Sequence, residues 1–447
     1  MSSNADFFKK RRAGILLHPT SLPGTPGNGD LGEQAYRFVD FLADCGISIW
    51  QMLPLGPPHE DLSPYQCQSV HAANPLLISL DRLVEKGWLS KDSVPTAEHE
   101  LEHELKRLAK QGWLTEDVLA RELKQRLEQS QFRDDGFCPQ PEHDAAMRYR
   151  HARLKEARAG FEKNASATDS AAFDEFTKIH AEWLDDYGLF RALSAEHHQA
   201  LKADCLKALN EIHHHDALKG SLLELTKAAG WWGWRPELRD RQPQALEAAR
   251  LRLAKEIKQH RFEQFVFFSQ WEALKAYANQ HGVLMFGDIP IFVAEDLGVI
   301  THEVNHLRER FGLPGMKILQ FAFDSGNDNP YLPHNHIEDC LVYTGTHDND
   351  TTLGWYHELP EHIRQFARDY LRSPLDDMPW PLVEAAFASK AQWAIVPMQD
   401  VLALDGHHRM NVPGVPTGNW RWRFDWSQKP HGVHDKLRDF CQHYNRT

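Results

Sequence analysis

Apolar positions along this chain follow two arrangements: short continuous runs, and runs spaced three and four residues apart. The first reads as buried parallel strand, the second as helix with one covered face. Residues 14–18 and 47–53 are predicted as the first two strands. Between them Tyr36, Phe38, Val39, Phe41 and Leu42 mark a helix, and Gly46 stands where it should stop. Phe262, Phe265, Val266, Trp271 and Leu274 give one apolar face to a long helix closing near Gly282. Residues 316–323, 341–345 and 393–398 read as later strands. Strands alternating with helices point to an α/β barrel rather than to two packed sheets. Residues 95–165 are highly charged, with Leu101, Leu105 and Leu108 at helical spacing and no strand signal. Residues 85–235 are therefore expected as a mainly helical subdomain inserted into one barrel domain spanning 1–447. Residues 159–170, rich in Ala, Ser, Thr and Gly, read as a loop.

The run Ile291-Phe292-Val293-Ala294-Glu295-Asp296-Leu297-Gly298-Val299-Ile300-Thr301 carries candidate chemistry. An apolar β-like run delivers two adjacent carboxylates, a glycine breaks it, and Thr301 can cap a helix over 302–311. That is how a barrel presents an acid at the carboxyl end of a strand. A helix-capping role for Glu295 or Asp296 fits the same residues. Immediately upstream, Gly287-Asp288-Ile289-Pro290-Ile291-Phe292-Val293-Ala294 reads as a second strand with its own carboxylate, fused to the first with nothing between.

Composition narrows the class. A net charge of −13 and the absence of a Lys/Arg-rich block argue against nucleic-acid partners. Lys9-Lys10-Arg11-Arg12 precedes too short an apolar run for a signal peptide, and nothing approaches a membrane span. Six cysteines without a Cys-x-x-Cys pair suit a reducing cytoplasm. His213-His214-His215, with His197 and His198, lack the i, i+4 spacing of a metal pair and read as a solvated helix end. No metal or cofactor is expected. Fourteen tryptophans serve either a core or a cleft in which sugar faces stack on indole rings.

Several long motifs resemble the 4-α-glucanotransferases (amylomaltases). They are Gly14-Ile15-Leu16-Leu17-His18-Pro19-Thr20-Ser21-Leu22-Pro23-Gly24, Ser63-Pro64-Tyr65-Gln66, Trp183-Leu184-Asp185-Asp186-Tyr187 and the two runs around 287–301. Gly312-Leu313-Pro314-Gly315-Met316-Lys317, Tyr343-Thr344-Gly345-Thr346-His347-Asp348-Asn349-Asp350 and Arg409-Met410-Asn411-Val412-Pro413-Gly414 complete the set, in order and over nearly the whole chain. The resemblance implies a (β/α)8 barrel of the α-amylase type and retaining transfer of α-1,4-glucan segments between maltodextrins. It implies Glu295 as general acid/base, Asp348 as transition-state stabiliser with His347 as its sugar-binding neighbour, and Asp288, Tyr65 and Asn411 as substrate-binding residues. Residues 347–352 are also ordinary turn chemistry. Trp355 and Trp420 are further candidate sugar platforms.

One part of the pattern is missing. The family's nucleophile sits in a strand reading Arg-Ile-Asp-His-Phe-Arg, between the segments matching Val293-Ala294 and Glu295. Here a single peptide bond occupies that place, and no nucleophile is found. Arg239-Asp240-Arg241 and Arg368-Asp369 are the nearest pairings, in charged or helical settings. Asp288 and Glu295 are seven residues apart, roughly 23 Å when extended at about 3.3 Å per residue. Neighbouring parallel strands need a crossover of about a dozen residues, so one run cannot hold both carboxylates in family positions. The expectation is an incomplete barrel of about six strands with the fourth strand missing. The rival readings are a catalytically inactive maltodextrin-binding remnant and a fragment that does not fold.

Overall fold

The computed structural model describes residues 8–24, 28–59, 61–94, 140–211, 230–287, 313–373, 377–415 and 417–447, with His306 and Arg310. Its centre is one sheet of six parallel strands. These are β1 (Arg12–Leu16), β2 (Ile49–Met52), β3 (Leu284–Gly287), β4 (Gly315–Ile318), β5 (Cys340–Tyr343) and β6 (Trp393–Pro397). Their order is β3-β2-β1-β6-β5-β4, so among the described residues β3 and β4 are the two ends of an unclosed barrel wall. Every residue of β2, β5 and β6 is buried, which is why these strands are continuous apolar runs rather than alternating ones.

Helix α1 (Glu33–Asp44) buries Ala35, Phe38, Val39, Phe41 and Leu42 between β1 and β2 in the chain. The long helix α5 (Ala254–Gln280) follows α2 (Gln140–Asn164), α3 (Ala167–Ile179) and α4 (Ala181–Glu211) and leads into β3. Gly46 and Gly282 follow the ends of α1 and α5 with φ of 73° and 75°, the left-handed conformation that lets the chain leave a helix without a Cβ penalty.

Three sequence expectations shift. Residues 159–170 are helical except for a break at Ala165-Ser166. Alanine is the best helix former, and the Ser166 hydroxyl caps α3 by accepting from the Asp169 amide at 3.0 Å. Phe161 and Phe173 then pack on Phe265 of α5, with ring centroids 6.0 and 5.4 Å away. The strand expected over 287–294 has its described part at Leu284–Gly287, because Val283-Leu284-Met285-Phe286 extends the apolar run and Leu284 pairs in register with Ile49. The rest of it, with Asp288, Glu295, Asp296 and most of the helix expected over 302–311, lies outside the described residues. The strand expected over 316–323 ends at Ile318 and passes into a 3-10 turn over Leu319–Phe321. Residues 95–139 and the His213–215 triplet also lie outside the described residues.

Helix α5 joins the barrel to the helical layer. Its Gln264 side chain accepts from the Ala73 amide at 2.8 Å and donates to the Ala73 carbonyl at 2.9 Å. Gln270 does the same to Ser79, at 2.8 and 3.0 Å. A buried amide side chain thus replaces a missing strand partner for the loop that follows β2. A second, small core of Leu189, Ala192, Leu193, Leu238, Leu246, Ala249, Leu253 and Ile257 lies between α4, the Pro243–Arg252 helix and α5.

Three buried groups set an acid limit on this fold. Burial, reinforced by His347, lowers His18 from 6.5 to about 3. Burial lowers His336 to about 4, against the Tyr331 carbonyl that favours its charge. Burial opposes charge on Glu263, but His260, His151 and Gln259 overcome it and hold the carboxyl at about 2. Below pH 6.5 the unfolded chain takes up protons that the folded histidines refuse, and below 4.5 the same holds for Glu263. Stability is therefore expected to fall steadily as pH drops from 6.5 towards 3. Urea midpoints measured across that range should decline, less steeply for His336→Asn between pH 6.5 and 4. An identical slope in that variant would contradict the assignment.

Candidate active site

The described candidate residues lie on loops that follow the carboxyl ends of β2, β5 and β6, the end of a barrel that carries its site. Strand β5 ends at Tyr343 and runs into the loop 344–351, which is closed by helix α6 (Thr352–Glu358). The loop is held in shape by its own turn: Asn349 Oδ1 accepts from the Thr346 amide at 2.9 Å and from its hydroxyl at 2.8 Å. This turn presents His347 and Asp348 together, with His347 Nε2 3.2 Å from Asp348 Oδ1.

Two distant loops meet that pair. Asn411 Nδ2 donates to Asp348 Oδ1 at 2.6 Å. Arg409, two residues earlier, donates to the Asp348 carbonyl at 3.1 Å and lies 3.7 Å from Asp350 Oδ2. From the other side comes Tyr65, at the tip of a hairpin-like loop closed by the Pro58–Cys67 bridge. Its ring stacks on His347 at 4.9 Å between centroids, with the hydroxyl 3.4 Å from Nδ1. Arg191 of α4 donates to Gln68 and so ties this hairpin to the helical layer.

Trp420 completes the aromatic group, 6.0 Å from Tyr65 and 5.7 Å from His347. Its φ of 64° places a bulky residue in the left-handed region, a conformation that clusters at ligand clamps. Trp355, the other candidate platform, instead packs on Phe323 at the edge of the core.

Below this rim is a solvent-connected cleft lined by His18, His347, Asp350, Gln399, Arg409 and Trp422 among others. Sequence reasoning assigned no role to His18, Asp350, Arg409 or Trp422. His18 directly follows the β1 run and Arg409 is two residues from Asn411, so position relative to strand ends and to Asn411 was the available signal. Burial raises the Asp350 carboxyl above the ordinary range while Arg409 pulls it back. His18 is buried and neutral near His347, which leaves it an uncharged imidazole in the cleft wall.

The structure thus brings together Tyr65, His347, Asp348 and Asn411. Asp288 and Glu295 lie outside the described residues. Among the described residues no group of three His, Cys, Asp or Glu side chains is placed to hold a metal.

The sequence profile of the family described as 4-alpha-glucanotransferase matches residues 17–294 and 292–428. The chain belongs to the 4-alpha-glucanotransferase family. The two matched segments meet, and overlap, at Phe292-Val293-Ala294, the point at which the sequence joins two strands without a connection. The 4-alpha-glucanotransferase of Synechocystis sp. is 31% identical, with 98% of each chain covered. That alignment runs over 561 positions, 114 more than the 447 residues of this chain. The family member from Thermus thermophilus is 33% identical over 92% of this chain and 94% of its own. An amylomaltase from Streptococcus agalactiae, solved in complex with acarbose, shares the fold at a TM-score of 0.75 and 23% identity. The match covers 98% of this chain and 100% of that one. Arg239 and Asp240 pair with each other at 2.7 Å on the surface, and Arg368 is taken by Glu361 at 2.6 Å.

Proposed function

We propose that this 4-alpha-glucanotransferase family member binds α-1,4-glucans on the rim formed by Tyr65, His347, Asp348 and Asn411. The chemistry of its family is retaining transfer of glucan segments between maltodextrins, and in this chain the absence of the nucleophile strand from the sequence sets that activity low. The observation that carries the reading is the continuous contact from Tyr65 through His347 and Asp348 to Asn411, which joins three distant segments at the mouth of one strand. In this scheme Glu295 gives and retrieves the proton at the glycosidic oxygen, and Asp348 with His347 holds ring hydroxyls as positive charge develops at the anomeric carbon. Tyr65 and Trp420 supply flat faces for the sugar, and Asp288 is a further substrate carboxylate.

The helical segment within 85–235 serves this site by anchoring the Tyr65 hairpin through Arg191. No cofactor is required by this chemistry. Cys45, Cys67, Cys340 and Cys441 are in no disulfide, which suits a reducing cytoplasmic setting, and no described helix is long and apolar enough to cross a membrane. The net charge of −13 disfavours nucleic acid as a partner.

A second reading is favoured by the junction at 294/295: a binding remnant in which the rim holds glucan and nothing attacks it. Incubation with maltotriose and calorimetry with maltoheptaose separate the two. Glucose with longer oligomers supports transfer; heat of binding without products supports the remnant; neither, with a broad thermal transition, supports a fragment. On either reading Tyr65→Ala and Asp348→Ala should each weaken maltoheptaose binding by about tenfold to a hundredfold, as loss of one stacking or charged hydrogen-bonding partner does. Unchanged affinity in both variants would remove the rim from consideration.

A further inference from the structure

The geometry points to Asp400 as a positioning residue that sets where His347 and Asp348 stand, although it lines no part of the cleft. The inference rests on reading those two residues as glucan-binding. Asp400 lies in the short helix α7 (Met398–Val401) directly after β6 and is only 1% exposed. Its Oδ2 accepts from the Thr344 hydroxyl at 2.6 Å and the Thr352 hydroxyl at 2.7 Å. Its Oδ1 accepts from the Thr352 amide at 2.8 Å. Thr344 is the first residue after β5 and Thr352 the first of α6, and both are fully buried. One carboxylate therefore grips both ends of a loop whose intervening residues, 345–351, include His347, Asp348 and Asp350.

A bland role for Asp400, as cap of helix α6, is already filled. The Thr351 hydroxyl caps that helix by accepting from the Gly354 amide at 3.0 Å. A buried carboxylate is costly to desolvate, and two apolar threonine isosteres at 344 and 352 would pack the same space without it. What the carboxylate adds is a fixed distance between the strand end and the helix start. The remaining restraints on the loop come from other directions: Gln320 Nε2 donates to the Asp350 carbonyl at 2.8 Å, and Arg409 and Asn411 hold Asp348 from above. Gln320 also reaches the Thr344 carbonyl, through its backbone amide at 3.3 Å, so it links residues 344 and 350; Asp400 is the restraint among these that ties the strand end to the first residue of helix α6. Burial and the neighbouring Asp350 push its carboxyl pKa up, while Thr344 and Thr352 pull it down.

The test uses the full chain with Asp400→Asn, Thr352→Val and Thr352→Ser, each at a temperature where it is fully folded by calorimetry. Maltoheptaose affinity and the ring carbon–proton resonance of His347 are read side by side. Asp400→Asn and Thr352→Val are expected to weaken binding by about tenfold, the loss of one charged hydrogen bond, and to displace the His347 resonance. Thr352→Ser, which keeps both donors, should restore wild-type values of both. A lowered melting temperature with unchanged affinity and an unmoved His347 resonance would make Asp400 structural only and overturn the proposal. If Asp400→Asn does not fold, the Thr352→Val and Thr352→Ser pair decides on the same two readings. If the wild-type chain binds no maltoheptaose, the glucan-binding reading fails. The His347 resonance then still decides on Asp400: displaced supports positioning, unmoved overturns it.

Discussion

Maltotriose disproportionation by this chain is expected to fall several orders of magnitude below that of full-length family members, on the scale of the roughly 10⁶-fold loss seen when a protease loses its nucleophile. The argument is geometric. Retaining transfer needs a carboxylate nucleophile about 5–5.5 Å from the general acid, and no described strand supplies it. The family profile breaks at Phe292-Val293-Ala294, and the described sheet has six strands where a closed barrel has eight. Asp288 cannot stand in, because Glu295 follows it by seven residues in one run. Asp296 follows Glu295 directly and would face the opposite side of a continuing strand. Asp240 is spent on Arg239 at the surface. Glucose release from maltotriose, compared with Glu295→Gln and with a chain in which the missing segment is restored between Ala294 and Glu295, measures this. Restoration should return activity. Robust turnover by the unrestored chain, abolished in Glu295→Gln, would show a nucleophile recruited from elsewhere and defeat the argument.

How much of this was legible beforehand depends on the range of the interactions. Strands β2, β5 and β6 were readable because burial on both faces writes an unbroken apolar run, and local residues suffice to encode it. Gly46 and Gly282 were readable for the same reason: a left-handed residue at a helix end is a local demand. The segment 159–170 was misread because composition alone resembles a loop, whereas Phe161 and Phe173 gain their meaning only when Phe265, some hundred residues on, lies against them. The start of β3 was placed too late because Leu284 finds its partner in Ile49. The rim was legible through motif resemblance to the family. Its meeting of Tyr65, His347 and Asn411 was not, since no spacing rule joins residues 65, 347 and 411. Gln264 and Gln270 gave no sequence signal at all, because an amide side chain that serves as a strand partner looks like any polar residue on a helix.

Replacing Arg446 by alanine is expected to destabilise the fold by about 4 kcal/mol or more, enough to unfold a large fraction of the chain at physiological temperature. Arg446 follows the C-terminal helix and is fully buried, and its hydrogen bonds go to backbone carbonyls rather than to a carboxylate. These carbonyls lie at the amino ends of the sheet. Nε reaches Phe387 at 2.6 Å, Nη1 reaches Arg12 and Gln392 at 3.1 Å each, and Nη2 reaches Ser389 and Ala391 at 2.9 Å each. Arg12 opens β1 and Gln392 immediately precedes β6, so this side chain ties the central strand pair to the loop beneath it. Alanine would strip the guanidinium from all five carbonyls, leaving Gln392 only its bond from the Arg12 amide and Phe387, Ser389 and Ala391 only those from Arg11, and would open a cavity where a large side chain stood. Lysine keeps charge but not the planar fork, and should recover only part of the loss. Strands β1 and β6 sit at the centre of a sheet whose ends β3 and β4 are not joined among the described residues, so no closed hydrogen-bonded ring shares the strain. Urea unfolding of Arg446→Ala and Arg446→Lys measures the effect; a change under about 1 kcal/mol for alanine would mean that water enters the floor of the barrel and replaces the guanidinium.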